Sequence, residues 1–361
     1  MRKRTIVLSI ILVGMLVVPS LSTASLRITS KNDLTIKTVR EQRLRDIQNY
    51  FPIITPPGLY HTYDEMTSLL QGLATNHSDI MSLASIGKTY EGRDLWMVKL
   101  SDNVSEDEDE PEILFMGAHH GKEKPSYEVL IFFIQFIVDN YENDTGGVRE
   151  AINNTELFII PMVNPDGVQA GTRKNCAPNH GPFGLQKKVT SIGVDLNRNY
   201  GYRWFLFFLC PWKYYKTTTL ADVTNVYRGE YPFCENETQA IKSLIETHHI
   251  LISLSYHTSG ELVLYPWGYT QNPPDDKLVF VSIGENITKF NNYTLAQGIE
   301  LYPTLGDSDD WGYGVHGIFS FTIELGTEQA TSEPQDLLEM CTSHVNVNLY
   351  VCQRAQLLEK K

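Results

Sequence analysis

Three short runs without a charged side chain, residues 113–117, 157–163 and 250–256, constrain the fold most. Each is too brief for a stable helix, and each is apolar along its length rather than alternating. Such runs suit central strands covered on both faces. Between and around them the spacing changes to that of helices. Residues 64–76 carry Met66, Leu69, Leu70 and Leu73 at helical intervals, and 126–140, 235–247, 276–290 and 333–358 read as further helices. Within the second of these, 129–138 is apolar almost all round. That predicts a buried helix, because the stretch is too short to cross a bilayer. Residues 81–86 and 94–100 form a strand pair about the turn Glu91-Gly92-Arg93, and 319–325 is one more strand. Strands alternating with helices predict an α/β three-layer sandwich, with a mixed, largely parallel central sheet flanked by helices. Ligands in such folds gather beyond the carboxyl ends of strands.

Those strand ends carry the chemistry. The first run leads into His119-His120-Gly121-Lys122-Glu123, the third ends at His257, and the last strand contains Phe321-Thr322-Ile323-Glu324-Leu325. His120 and Glu123 bracket one turn, so both side chains can reach one ion. His119 competes, since a pairing with Glu123 four residues on is also reasonable. With His257, a set of two imidazoles and one carboxylate leaves a coordination position open, as in catalytic zinc sites. Glu324 lies between apolar residues, where an idle carboxylate would be costly to bury. A general base for a metal-activated water fits that position.

Further markers appear in a fixed order: Asn164-Pro165-Asp166-Gly167, Arg173-Lys174, Gly193-Val194-Asp195-Leu196-Asn197-Arg198-Asn199-Tyr200, Pro232-Phe233-x-Glu235-x-Glu237-Thr238 and Tyr302. Together with the His and Glu motifs they resemble the funnelin zinc carboxypeptidases, the M14 peptidase family, over about residues 60–356. The resemblance implies one Zn2+ held by His120, Glu123 and His257, with Glu324 as general base and acid. It selects His120 over His119, which becomes a packed strand-end residue. It implies that Arg173 meets the oxyanion, and that Asn197 and Arg198 grip the terminal carboxylate of a peptide. Tyr302 would close over that terminus. Asp309, fifteen residues before Glu324, falls where the family sets the floor of its specificity pocket. A carboxylate there implies preference for C-terminal Lys or Arg, with tolerance for apolar residues, although Asp309 could instead cap a short helix near Trp311. Lys122 stands where many relatives have Arg, which alters a secondary substrate contact.

The formal net charge of −13 argues against nucleic acid as a partner and assists the approach of cationic substrates. Residues 1–24 read as a secretory signal: Arg2, Lys3 and Arg4, an apolar core from Ile6 to Val18, then Ser22-Thr23-Ala24. No other membrane contact is expected. Residues 25–55 read as a short pro-segment or flexible arm, and 56–361 as the catalytic domain. The acidic run 106–110 is expected to be a solvated loop. The run 203–212 departs from the family in its apolar character. It is expected to pack beneath its loop, with a partner-facing or lipid-facing patch as the alternative. Five cysteines allow disulfides in an extracellular protein. Cys341 and Cys352 lie roughly 16 Å apart along one helix and cannot bridge each other. Cys210 with Cys234, or Cys176 with either, is the pairing expected. Sequons at Asn76, Asn103, Asn143, Asn153, Asn236, Asn286 and Asn292 are candidate glycosylation sites.

The expected function is therefore a secreted, monomeric zinc metallocarboxypeptidase acting on the C-termini of peptides and proteins. Two alternatives stand beside it: a zinc amidase acting on cell-wall peptides or amino-acid conjugates, and a non-catalytic secreted binding module.

Overall fold

The computed structural model describes residues 59–176, 193–219 and 224–358. The signal expected at 1–24 and the arm expected at 25–55 lie outside the described residues. One sheet of eight strands organises the rest, in the order β1-β2-β4-β3-β5-β8-β6-β7. The strands are β1 Met81–Lys88, β2 Asp94–Leu100, β3 Glu112–Met116, β4 Glu156–Ile160, β5 Ile250–Thr258, β6 Leu262–Tyr265, β7 Thr294–Gln297 and β8 Phe319–Leu325. The pairs β4–β3, β3–β5, β5–β8 and β6–β7 run parallel, while β1–β2, β2–β4 and β8–β6 run antiparallel. The sheet is mixed and largely parallel, as the sequence predicts. Two strands escape the sequence reading. β6 and β7 have only four residues each, too few for a periodicity to register.

Seven principal helices flank the sheet: α1 Tyr63–Asn76, α2 Pro125–Asn140, α3 Pro165–Ala170, α4 Asn236–Thr247, α5 Lys277–Asn291, α6 Ser308–His316 and α7 Pro334–Ala355. Thr62 starts α1 with a capping box, its hydroxyl accepting from Glu65 N while Glu65 accepts from Thr62 N. Helix α2 is buried from Pro125 to Val138. It packs between the sheet and α7 within the larger core cluster, which explains its apolar circumference. Phe133, with no exposed surface, contributes about 1.5–3 kcal/mol by leaving water. Among the described residues, no helix is long and apolar enough to cross a membrane.

Alternation along β5 and β8 positions the site. Leu254 and Tyr256 on β5, with Phe321, Ile323 and Leu325 on β8, join the larger core. The intervening residues are Ser253, Ser255 and His257 on β5, and Ser320, Thr322 and Glu324 on β8. Successive side chains on a strand point to opposite faces, so the polar set shares one face of the sheet.

Two expectations need correction. All five cysteines are free thiols, so none of the expected disulfides is present. Cys176 Sγ instead donates to Asp166 O at 3.6 Å, and Cys234 Sγ lies 3.1 Å from Asn199 Nδ2. The stretch 203–212 packs only in part: Trp204 and Phe207 are buried, but Phe205, Phe208 and Leu209, with Trp212, are exposed. One-turn helices there turn alternate aromatics inward and outward. The buried Trp204 carries the guanidinium of Arg228 3.4 Å above its ring.

Candidate active site

The turn after β3 is shaped by close backbone contacts. Ala118 adopts φ of 50°, a left-handed conformation that costs a non-glycine residue of order 1 kcal/mol. A Cβ on Gly121 would lie 2.0 Å from the backbone carbon of Gly167, so only glycine lets this turn approach α3. Asn164 caps α3 through Gly167 N, and its amide donates to His119 O at 3.2 Å. Asp166 accepts from Thr89 Oγ1 and from Arg93, tying α3 to the β1–β2 turn. The Asn164-Pro165-Asp166-Gly167 motif thus builds the floor on which His120 and Glu123 stand.

His120, Glu123 and His257 are buried, and their donor atoms lie within 4.8 Å of one another. His120 Nδ1 is 2.9 Å from Glu123 Oε1, and His257 Nδ1 is 3.0 Å from Glu123 Oε2. The two Nδ1 atoms are 3.1 Å apart. The far side of each ring also has a partner. His120 Nε2 lies 3.0 Å from Asp195 Oδ1, and His257 Nε2 lies 3.1 Å from Ser255 Oγ. With Nε2–H donating to these oxygens, both Nδ1 lone pairs face Glu123. That donor set, two neutral imidazoles and one carboxylate, fits a zinc ion. Burial would raise the Glu123 carboxyl, but the adjacent His120 ring and hydrogen bonds with His120 and His257 hold it well below the carboxylate range. It is ionised, as a ligand must be.

His119 does not join this group. It is fully buried, with Nε2 2.8 Å from Tyr200 Oη and Nδ1 3.2 Å from Ser255 Oγ, and it stacks on His257. Burial, then the charges of His257 and His120, keep it neutral. This is the packed role expected of it.

Arg173 Nε donates to Asp195 Oδ2 at 2.8 Å, and its Nη1 lies 3.6 Å from Glu123 Oε1. Its guanidinium therefore sits at the edge of the three-residue group. The five other predicted residues line one pocket: Asn197, Arg198, Tyr302, Asp309 and Glu324. Asn197 connects pocket and metal group, because its Nδ2 is 3.3 Å from His257 Nε2 while Oδ1 accepts from Ser308 N at 2.9 Å. Arg198 donates to Thr217 O and Asn197 O, both at 2.6 Å, and lies 5.8 Å from the Tyr302 ring. Its remaining N–H donors are free of those carbonyls.

Glu324 is pushed up to about 8, first by burial and then by the charge of Glu123, with Arg173 and Arg198 pulling it back. A carboxyl poised near neutrality can both take and give a proton. Asp309 does not cap α6. Asp307 does, accepting from Asp310 N at 2.8 Å, because it precedes the first helical residue. Asp309 sits inside the first turn and turns to the pocket, where Thr322 Oγ1 donates to Oδ2. Burial, then the charge of Asp307, push it up to about 7. Asp307 Oδ2 is buried without a hydrogen-bond partner among the described residues, and Asp307 lines the same pocket.

Asp195, Ser255, Thr322 and Asp307 are the residues that sequence reasoning passes over. Asp195 had a signal, since it stands inside the Gly193–Tyr200 motif. Its fully buried carboxylate is held well below the usual range; burial opposes this, and Arg173, His120 and Arg198 outweigh it. Ser255 lies inside a run that reads as continuously apolar, and Thr322 inside the Phe321–Leu325 motif, so neither stands out in the sequence.

A family model described as zinc carboxypeptidase matches residues 66–347. The chain belongs to the zinc carboxypeptidase family. It is 35% identical over 283 residues to a zinc carboxypeptidase of Saccharothrix mutabilis subsp. capreolus, covering 74% of this chain and 62% of that one. It is 27% identical over 286 residues to carboxypeptidase B of Astacus astacus, covering 74% of this chain and 86% of that one. The chain thus spans less than two thirds of the Saccharothrix relative's length. Among solved structures, it matches thrombin activatable fibrinolysis inhibitor with a TM-score of 0.73 at 21% identity, over 90% of this chain and 81% of that one. Carboxypeptidase A from Helicoverpa armigera matches with a TM-score of 0.70 at 23% identity, over 82% and 73%. These likenesses establish the α/β sandwich as a carboxypeptidase fold.

Proposed function

We propose that the protein is a secreted zinc metallocarboxypeptidase. It hydrolyses the last peptide bond of peptides and proteins, favours C-terminal Lys or Arg, and tolerates apolar residues. The observation that carries this reading is the joining of two groups: the buried His120, Glu123 and His257, and a pocket lined by Arg198, Asp309 and Glu324.

His120, Glu123 and His257 would hold the ion. Bound there, zinc would acidify a water and polarise a carbonyl. Asp195 and Ser255 orient the two rings from behind. Glu324 takes the proton from the attacking water and returns it to the leaving nitrogen. Arg173 offers a positive charge to the oxygen that becomes negative on attack. Asn197 and the free donors of Arg198 receive the terminal carboxylate, for which a planar guanidinium is well shaped. Tyr302, half-buried at the pocket mouth, covers it. The side chain of the residue to be released then enters toward Asp309. A cation there meets the carboxylates of Asp309 and Asp307, while Leu264 and Tyr265 on the same wall accommodate apolar side chains.

The test is hydrolysis of N-blocked dipeptides ending in Arg, Lys, Leu and Phe, each with a free or amidated terminus, with and without a chelator. Free-acid substrates should be cleaved, amidated ones poorly, and the chelator should abolish turnover. Equal cleavage of free and amidated termini would replace this reading with a general amidase.

A further inference from the structure

The segment 203–215 is apolar on two faces. It winds through two short helices, Trp204–Phe208 and Pro211–Tyr214. Between and after them Leu206 O accepts from Leu209 N and Cys210 N, and Pro211 O accepts from Tyr215 N. On the inner face Phe207 and Tyr214 pack with Leu305, and Trp204 lies under Arg228. That face is enough to anchor the segment. The outer face carries Phe205, Phe208, Leu209, Trp212 and Tyr215, spaced as residues on one side of a helix. Phe205 is 64% exposed, Leu209 71% and Trp212 72%, so these side chains add nothing to the packing beneath them. The Phe205 and Phe208 rings stack on each other at 6.4 Å. Single exposed apolar residues are ordinary, but a contiguous set marks a contact surface.

Charge says what this surface fits. The chain has 43 acidic residues against 30 basic ones, yet no Asp or Glu occurs between Asp195 and Asp222. Arg203, Lys213 and Lys216 are exposed and sit among the aromatic residues. Lys213 Nζ donates to Tyr269 O at 2.7 Å, the Arg203 guanidinium lies 5.3 Å from the Tyr202 ring, and Lys216 Nζ lies 5.9 Å from the Tyr215 ring. These contacts hold the three cations beside the patch without neutralising them. Aromatic and aliphatic side chains rimmed by Lys and Arg are the composition of surfaces that lie in a bilayer interface, where rings enter the headgroup layer and cations meet anionic headgroups. A second copy docked patch to patch would instead bring Arg203, Lys213 and Lys216 against their own counterparts.

We propose that the outer face of 203–215 docks the protein peripherally onto an anionic lipid surface. This departs from the expectation that only residues 1–24 meet a membrane. The acidic remainder of the molecule does not forbid it, because charges more than about 8–10 Å from the lipid are largely screened at physiological salt while the three cations lie at the contact. The segment continues to Thr217, whose carbonyl accepts from Arg198 Nε at 2.6 Å. Docking therefore brings the wall of the Arg198 pocket toward the lipid. On the function proposed above, peptides and proteins held at the same surface would then be the substrates favoured.

The test is co-sedimentation of the full chain with vesicles of phosphatidylcholine alone, or of phosphatidylcholine with about one third phosphatidylglycerol. Parent and variants share residues 1–24, so a difference between them belongs to the patch. The parent should partition onto the anionic vesicles roughly tenfold more strongly than onto the neutral ones, and less as salt rises from about 0.1 to 0.5 M. Phe205→Ser/Trp212→Ser should weaken partition by about tenfold or more. Lys213→Gln/Lys216→Gln should weaken it by about tenfold on anionic vesicles only. All four positions are exposed, so folding and zinc content should not change. Trp212→Phe keeps an aromatic ring at the surface. It should still bind but lose the blue shift of tryptophan emission that the parent shows with vesicles. Failure of the parent to sediment with anionic vesicles would overturn the proposal, as would binding undiminished in both double variants. Self-association that Phe205→Ser/Trp212→Ser abolishes, without vesicle binding, would assign the face to a second copy instead. None of these readouts uses turnover, so they stand or fall apart from the carboxypeptidase reading.

Discussion

His257 and Glu324 face each other in register across β5 and β8. One belongs to the group suited to zinc and the other lines the substrate pocket. Neighbouring strands lie about 4.8 Å apart, so this pairing sets Glu324 beside the group suited to zinc. Neither residue depends on a loop for its position. A shift of one residue in this pairing would send Glu324 into the apolar core, where Ile323 now packs.

The first prediction separates these two residues. His257→Ala should lose both zinc and turnover, because one donor of three is gone. Glu324→Gln should keep a full equivalent of zinc and lose turnover by about 10²–10⁴-fold, since one carboxylate serves as base and then acid. Zinc content by atomic absorption, set beside kcat, distinguishes them. A Glu324→Gln protein with near-normal kcat would remove Glu324 from the chemistry.

Asp195 should act through His120. It accepts from the ring nitrogen opposite the one that faces Glu123, at 3.0 Å. Asp195→Asn keeps the size but weakens that anchor and also removes a charge beside Arg173. Zinc affinity, measured by competition with a chelator of known strength, should fall by about 10–100-fold. Unchanged affinity would reduce Asp195 to a partner of Arg173.

How much of this was legible in the sequence follows from what each residue does. His120, Glu123 and His257 sit in short local motifs or at the end of a strong apolar run, and the structure brings the three together. Glu324 stands out in the sequence as an unexplained carboxylate in an apolar strand. Asp195 stands inside its motif without a legible role, because a carboxylate behind a histidine has no spacing rule. It lies 75 positions from His120. The strands β6 and β7 were missed for their shortness, and the disulfides were expected because cysteine spacing says nothing of Sγ directions. The acidic run 106–110 is solvated as its composition implies, with none of its five residues buried; only the fold brings Asp107 near Glu112 and Glu156.

Arg198 should govern recognition of the terminal carboxylate. Two of its donors hold the carbonyls of Thr217 and Asn197, and the rest remain for a ligand. Hydrogen bonds to a charged group are worth about 1.5–3 kcal/mol each, so Arg198→Ala should lower kcat/KM by roughly a hundredfold, mainly through KM. Amidated substrates supply the internal control, because their slow cleavage should change little. An equal loss for both substrate types would mean that the variant damages the pocket generally, leaving the carboxylate contact unproved.

On the proposed reading Asp309 selects the released residue, and its titration predicts a pH effect with a definite sign. The carboxyl is pushed up to about 7, so in the empty pocket it is largely protonated below that pH and ionised above it. A Lys or Arg side chain binds the ionised form, whereas Leu or Phe gains nothing from ionisation. The ratio of kcat/KM for Arg-ending over Leu-ending substrates should therefore rise with pH, by up to about tenfold per unit below the pKa, and level off above it. Titration of the metal group and of Glu324 affects both substrates alike and cancels in the ratio. Asp309→Ile should lower the ratio and flatten its pH dependence, with zinc content unchanged. A ratio that stays the same in Asp309→Ile, or a slope that survives it, would assign selection to another wall of the pocket. Asp307, with its unpartnered Oδ2, would then be the next residue to replace.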